Sequence, residues 1–179
     1  METENQNVVM EKVNGEKKEG DLLSQKILLI VFKLGVEEYA LPIDQIKEVV
    51  LTPRISKIPQ TPSYIKGVAN IRGNVISIVD LEERFGLAEK GKQEMEEVEA
   101  NANYTLVIES EEYKIGVLVK EVPNTLSVNR SEVDSTSNII KHSSLDENAI
   151  NGIVKIGDRM IIMVNILSMM QAGDIKSAS

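Results

Sequence analysis

Catalysis needs nucleophiles, acid–base pairs or metal ligands, and this chain of 179 residues offers few of them. It has no cysteine, which excludes disulfides, thiolate metal sites and cysteine nucleophiles. Its one histidine, His142, stands between Lys141 and Ser143, the setting of a surface loop rather than of a base or a ligand. The acid pairs Glu37-Glu38, Glu82-Glu83, Glu96-Glu97 and Glu111-Glu112 could do acid–base work in principle. Neighbours on a strand point to opposite faces, however, so such pairs read as solvated edges and hairpin tips. No nucleophile elbow, P-loop, dinucleotide fingerprint or His-Glu-x-x-His helix is present. No catalytic residue, cofactor or metal is therefore expected.

The segment Asn70-Ile71-Arg72-Gly73-Asn74 is more informative. If Ile71 and Val75 end paired strands, Arg72 sits at the turn with its guanidinium in solvent. There it can make bidentate contact with a partner's carboxylate, or pair with an acid of its own chain. Spacing alone does not choose between the two.

The elements that must position this turn are aliphatic and β-prone. Ile (21) and Val (19) far outnumber the six aromatic residues, as suits strands packed on an aliphatic core and not a stacking platform for bases. Residues 1–26 lack a sustained apolar period and read as a disordered acidic tail. Ile27 to Phe32 reads as a strand buried on both faces, and Glu38 to Ile43 as a second, in which Pro42 demands an edge or a bulge. Ile43 to Val50 fits a helix or a kinked strand equally well. Pro53, Pro59 and Pro62 mark an irregular connection. Gly67 to Val79 reads as strand, tight turn, strand, with Gly73 or Asn74 supplying the positive φ, and Asp80 caps a short helix ended by Gly86. Residues 88–103 read as an acidic linker. Strands return at Tyr104 to Ile108 and Glu112 to Val119; a polar stretch from Ser127 to Asn148 and a hairpin turning at Gly157-Asp158 follow, and a short helix through Met169-Met170 closes the fold.

The chain also repeats itself. Gly67 to Leu81 superimposes, at an offset of 85, on Gly152 to Ile166, and Glu37-Glu38-Tyr39 with Lys47-Glu48-Val49 echoes Glu111-Glu112-Tyr113 with Lys120-Glu121-Val122. Two matches in the same order predict two similarly wound β subdomains sharing an interface, about 27–87 and 104–171 with possible strand exchange, followed by a tail at 172–179. At the position of Arg72 the second copy has Gly157, so the fold itself does not require an arginine there.

The net charge of −8 lies in the tail, the linker and the second half, whereas residues 27–87 carry seven basic and seven acidic groups. No basic run or aromatic patch supports a nucleic-acid-binding barrel, the more remote alternative. The longest apolar run is six residues, too short to span a bilayer, and the N-terminus resembles no export signal, so a cytoplasmic protein is expected.

The run from Ile65 to Leu81 closely resembles the signature Ile-Lys-Gly-x-x-Asn-Leu-Arg-Gly-x-x-x-Pro-x-x-Asp-Leu of the CheW-like coupling proteins of bacterial chemotaxis, with Ile71 for the usual leucine and Ser77 for the usual proline. The resemblance extends over about residues 27–170. It implies an all-β fold with a few short helices, built as two packed five-stranded SH3-like barrels. It also implies a non-enzymatic adaptor, monomeric when free, cytoplasmic and recruited to membrane-bound receptor arrays without inserting in the membrane. Its partners would be the regulatory domain of the histidine kinase CheA, bound through the first subdomain, and the cytoplasmic tip of chemoreceptors, bound in the groove between subdomains. An adaptor of another receptor pathway, in gliding or pilus control, is the alternative within the family. By position the resemblance assigns protein-binding roles to Arg72 and Lys66, to Ile46 and Glu48 on the strand facing partners, and to Asn70 and Gly73 of the turn.

Overall fold

The computed structural model describes residues 25–87, 104–111, 113–134 and 149–171. The expected linker 88–103, the C-terminal tail, His142, Glu112 and residues 1–24 of the expected N-terminal tail lie outside the described residues. Before the linker come β1 (Lys26–Leu34), β2 (Glu37–Pro42), β3 (Ile46–Leu51), β4 (Ile65–Ile71), β5 (Asn74–Val79) and the short helix α1 (Leu81–Arg84). After it come β6 (Tyr104–Glu109), β7 (Lys114–Val119), β8 (Asn124–Asn129), β9 (Val133–Asp134), β10 (Ile150–Ile156), β11 (Arg159–Val164) and α2 (Ile166–Gln171).

The strands form two sheets, one ordered β8-β1-β2-β11-β10-β9 and the other β3-β6-β7-β5-β4. Where five strands are expected in each, the first sheet has a sixth, the two-residue β9. Both sheets draw on both halves of the sequence. The halves are joined within each sheet by a parallel pairing, β2 with β11 and β5 with β7, while the other pairings are antiparallel. A cut between residues 87 and 104 therefore separates neither sheet.

Three apolar cores follow from this arrangement. Alternate residues of β1 face opposite ways: Leu29 and Val31 fill the first sheet's own core with Ala40, Val128 and Ile161, while Ile30, Phe32 and Leu34 fill the layer between the sheets with Leu106, Val117 and Ile166. Ala69, Ile71, Ile76, Ile78, Val107 and Leu118 fill the core of the second sheet. Burial on both faces is why β1 reads as a continuous apolar run.

The second sheet curls until its edges β3 and β4 meet. Ser56, in the connection after β3, exchanges two backbone hydrogen bonds with Val68, at 2.8 and 2.9 Å. The register of β4 slips at Gly67, whose φ of +138° and missing side chain allow this approach: a Cβ there would stand 2.1 Å from the Ser56 carbonyl oxygen. The first sheet repeats the device. Its register slips at Gly152, where a Cβ would stand 2.8 Å from Val133 on β9. The offset of 85 seen in the sequence thus joins equivalent positions of the two sheets.

Local readings were resolved or corrected by tertiary context. Pro42 is on an interior strand, not an edge, but it is the last residue of β2, beyond the Glu38–Ala40 stretch that pairs with β11. The ambiguous Ile43–Val50 segment is one turn of 3-10 helix at Ile43–Gln45 followed by β3. Part of the polar stretch from Ser127 belongs to β8, which pairs with β1. The positive φ of the β4–β5 turn falls on Arg72 (50°) and Gly73 (86°), and not on Asn74.

Candidate protein-docking site

The β4–β5 hairpin closes through a two-residue turn with both central residues in the left-handed region, the geometry that matches strand twist. Asn70 fixes it, its Oδ1 accepting the Gly73 N–H at 2.9 Å. Asn70 and Gly73 therefore shape the turn, and Arg72 is what the turn presents. A left-handed conformation strains a side-chain-bearing residue by about 1–2 kcal/mol. Its counterpart in the β10–β11 turn, Gly157, adopts nearly the same φ, 57°, without that strain.

Arg72 stays 76% exposed, and its Nε donates to Glu48 Oε2 at 2.6 Å. Glu48 lies on β3, so the pair ties together the two edges that the Ser56–Val68 bridge closes. Arg72 is thus paired within its own chain while most of its side chain remains exposed. Ile46 packs half-buried against the layer between the sheets, whereas Lys47, Val49 and Leu51 alternate outward along β3, Leu51 being 73% exposed. Val75, opposite Asn70 on β5, is also exposed. β3 thus carries Glu48, the partner of Arg72, on one face and exposed Val49 and Leu51 on the other.

Lys66 is placed differently from the sequence expectation of a docking residue. Its side chain is only 18% exposed, and its ammonium engages Glu83 closely and Asp80 at 3.9 Å. Burial pushes the Asp80 carboxyl above its ordinary range, despite the Glu83 N–H that it accepts as cap of α1. Burial pushes Glu83 the same way, but hydrogen bonds from Lys66 and Ser63 outweigh it and hold that carboxyl low. The difference follows from depth and contact, since Asp80 is the more buried acid and the farther from the lysine. Lys66 locks α1 onto β4.

Three further exposed apolar residues lie close in the chain to groups bonded to Glu82, and no sequence pattern links them because they are far apart in the chain. Val36 in the β1–β2 turn is 96% exposed, Val122 after β7 is 59% exposed, and Leu87 follows α1. Glu82 bonds at or near each of them in the chain: its carboxylate accepts the Gly35 N–H at 2.9 Å and pairs with Lys120 at 2.7 Å, and its backbone carbonyl accepts the Leu87 N–H at 2.8 Å. Exposed apolar residues beside charged ones are the composition of a protein-binding surface. Among the described residues no group of three or more His, Asp or Glu side chains could hold a metal ion, and no helix is long and apolar enough to cross a membrane.

The model of the CheW-like domain matches residues 28–174. The chain belongs to the CheW-like domain family. Among its CheW relatives, Chemotaxis protein CheW of Treponema pallidum is 27% identical over 142 residues, 79% of this chain and 81% of that protein. Chemotaxis protein CheW of Helicobacter pylori is 29% identical over 153 residues, 85% of each. The crystal structure of scaffolding protein TtCheW from Thermoanaerobacter tengcongensis matches with a TM-score of 0.66 and 30% identity, over 79% of this chain and 86% of that one. The two-sheet architecture is that of a CheW scaffold, and membership sets the chain among chemotaxis scaffolds rather than enzymes.

Proposed function

We propose that this chain couples transmembrane chemoreceptors to the histidine kinase CheA, as a cytoplasmic scaffold recruited to receptor arrays. The regulatory domain of the kinase docks on the second sheet around Arg72, Glu48 and β3. The receptor's helical tip docks at the junction of the sheets, where Val36, Val122 and Leu87 receive its apolar face. Lys66 serves the first surface indirectly, by holding β4 and α1 in place.

Arg72 carries the reading. An arginine at a left-handed turn position, where the matching position of the β10–β11 turn is glycine, is a local strain that folding does not require, and such strain collects at functional positions. Arg72→Gly gives the first turn the residue of the second. The variant is expected to keep its thermal midpoint within a few degrees and to bind the CheA regulatory domain about tenfold more weakly by titration calorimetry. Unchanged kinase affinity would overturn the assignment of Arg72.

A further inference from the structure

We propose that Glu82 is a positioning residue that sets the spacing of the two walls of the junction, and through it the fit of the receptor tip; the second half of this statement rests on the receptor-docking reading above. Glu82 has a fixed base. Asp80 caps its helix, Lys66 grips the neighbouring Glu83, and Phe85 stacks on Tyr39 of β2 with ring centroids 5.5 Å apart, which anchors the end of α1 to the first sheet as well. From that base the carboxylate spans the junction. Oε1 takes the N–H of Gly35, whose left-handed conformation (φ 61°) turns the chain into Val36 on the first sheet. Oε2 takes Lys120, two residues before Val122 at the end of the second sheet. One carboxylate thus holds the roots of both walls.

The contact differs from an ordinary surface ion pair at its acid end alone: the Glu82 side chain is 16% exposed, although that of Lys120 is 54% exposed. Lys33 and Glu121 also bridge the junction, at 3.4 Å, but both are more than half exposed, and solvent screens such pairs to little effect. The sequence reading of Glu82-Glu83 as a solvated pair assumed a strand. On a helix the two point in different directions, one to the junction and the other to Lys66.

The absence of native cysteine makes the test direct. Spin labels at Val36→Cys and Val122→Cys report the width of the junction by double electron–electron resonance. Glu82→Ala is expected to broaden that distance distribution. Glu82→Gln, which keeps an acceptor for Gly35 but cannot form the ion pair with Lys120, is expected to fall between Ala and the native residue. In unlabelled protein Glu82→Ala is expected to weaken binding of a soluble receptor cytoplasmic fragment about fivefold or more. A second label pair at Ser127 and Lys155, both exposed on the first sheet, guards against a general loss of structure. An unchanged junction distribution in Glu82→Ala overturns the proposal, as does broadening at both pairs. Broadening with unchanged receptor affinity overturns the link to docking. Unchanged affinity in Val36→Asp overturns the docking reading itself, apart from the role of Glu82 in spacing the sheets.

Discussion

Replacing Gly67 by alanine would put a methyl group where the backbone of Ser56 already is. The new Cβ would fall 2.1 Å from the Ser56 carbonyl oxygen and 2.8 Å from its carbon, at a φ of +138° that side-chain-bearing residues rarely adopt. Backbone fills that space, not the movable end of a side chain, so relief requires Ser56 to withdraw and both hydrogen bonds of its bridge to Val68 to break. Two bonds at about 1 kcal/mol each, with about 1–2 kcal/mol of backbone strain, give a loss of about 3–4 kcal/mol. For a chain of this length that corresponds to a fall of about 6–16 °C in the thermal midpoint. Gly35→Ala is the control: its φ is also positive, 61°, but nothing lies within 4 Å of the added Cβ, so only the conformational cost of about 1–2 kcal/mol applies. Urea denaturation followed by circular dichroism measures the difference, and amide exchange at Ser56 and Val68 locates it. Equal losses in the two variants, with the Ser56 and Val68 amides still protected in Gly67→Ala, would refute the close-approach reasoning.

Gly116→Ala overfills the second sheet, because its Cβ would meet Thr105 Cγ2 at 2.6 Å and Ile78 Cδ1 at 2.7 Å; a loss of about 1–3 kcal/mol is expected in the same denaturation assay. Acid should weaken the fold in a window set by paired carboxylates. Arg159 holds Glu38 below its ordinary value, Lys114 and Lys47 hold Glu109 below its own, and Glu83 is held low by Lys66 against its burial. A depressed carboxylate contributes stability that is complete above its unfolded pKa and is lost as pH falls through the lower folded value. The urea midpoint should therefore decline below about pH 4.3, with Asp80, whose folded value is raised, opposing the decline in part; a midpoint that climbs between pH 4 and 3 would contradict this. Finally, Glu48→Arg combined with Arg72→Glu should restore the ion pair and the stability of either single variant without restoring kinase affinity, since a partner meets the reversed charges.

Much of this architecture was legible because it rests on local signals. The hairpin of Gly67 to Val79 and the cap at Asp80 follow from glycine, asparagine and aspartate chemistry that acts within a few residues. β8 was not legible: in Asn124-Thr125-Leu126-Ser127-Val128-Asn129 only Leu126 and Val128 are apolar, and their alternation acquires meaning only when β1 lies beside them. The turn position of Arg72 was legible, but its Glu48 partner depends on sheet closure, which brings β3 to β4. The pairing of Lys66 with Glu83 and Asp80 was not legible either, since it depends on α1 packing back against β4. The contacts of Glu82 near Val36, Val122 and Leu87 were not legible, because no periodicity links residues that meet only when the two sheets pack.

Co-sedimentation with receptor-containing membranes tests whether this chain joins receptor and kinase. CheA is expected to pellet with those membranes when the chain is added, to remain in the supernatant without it, and to pellet less with Arg72→Gly while the chain itself still pellets. Equal recovery of CheA with and without the chain, or failure of the chain to pellet with receptors, would contradict the claim.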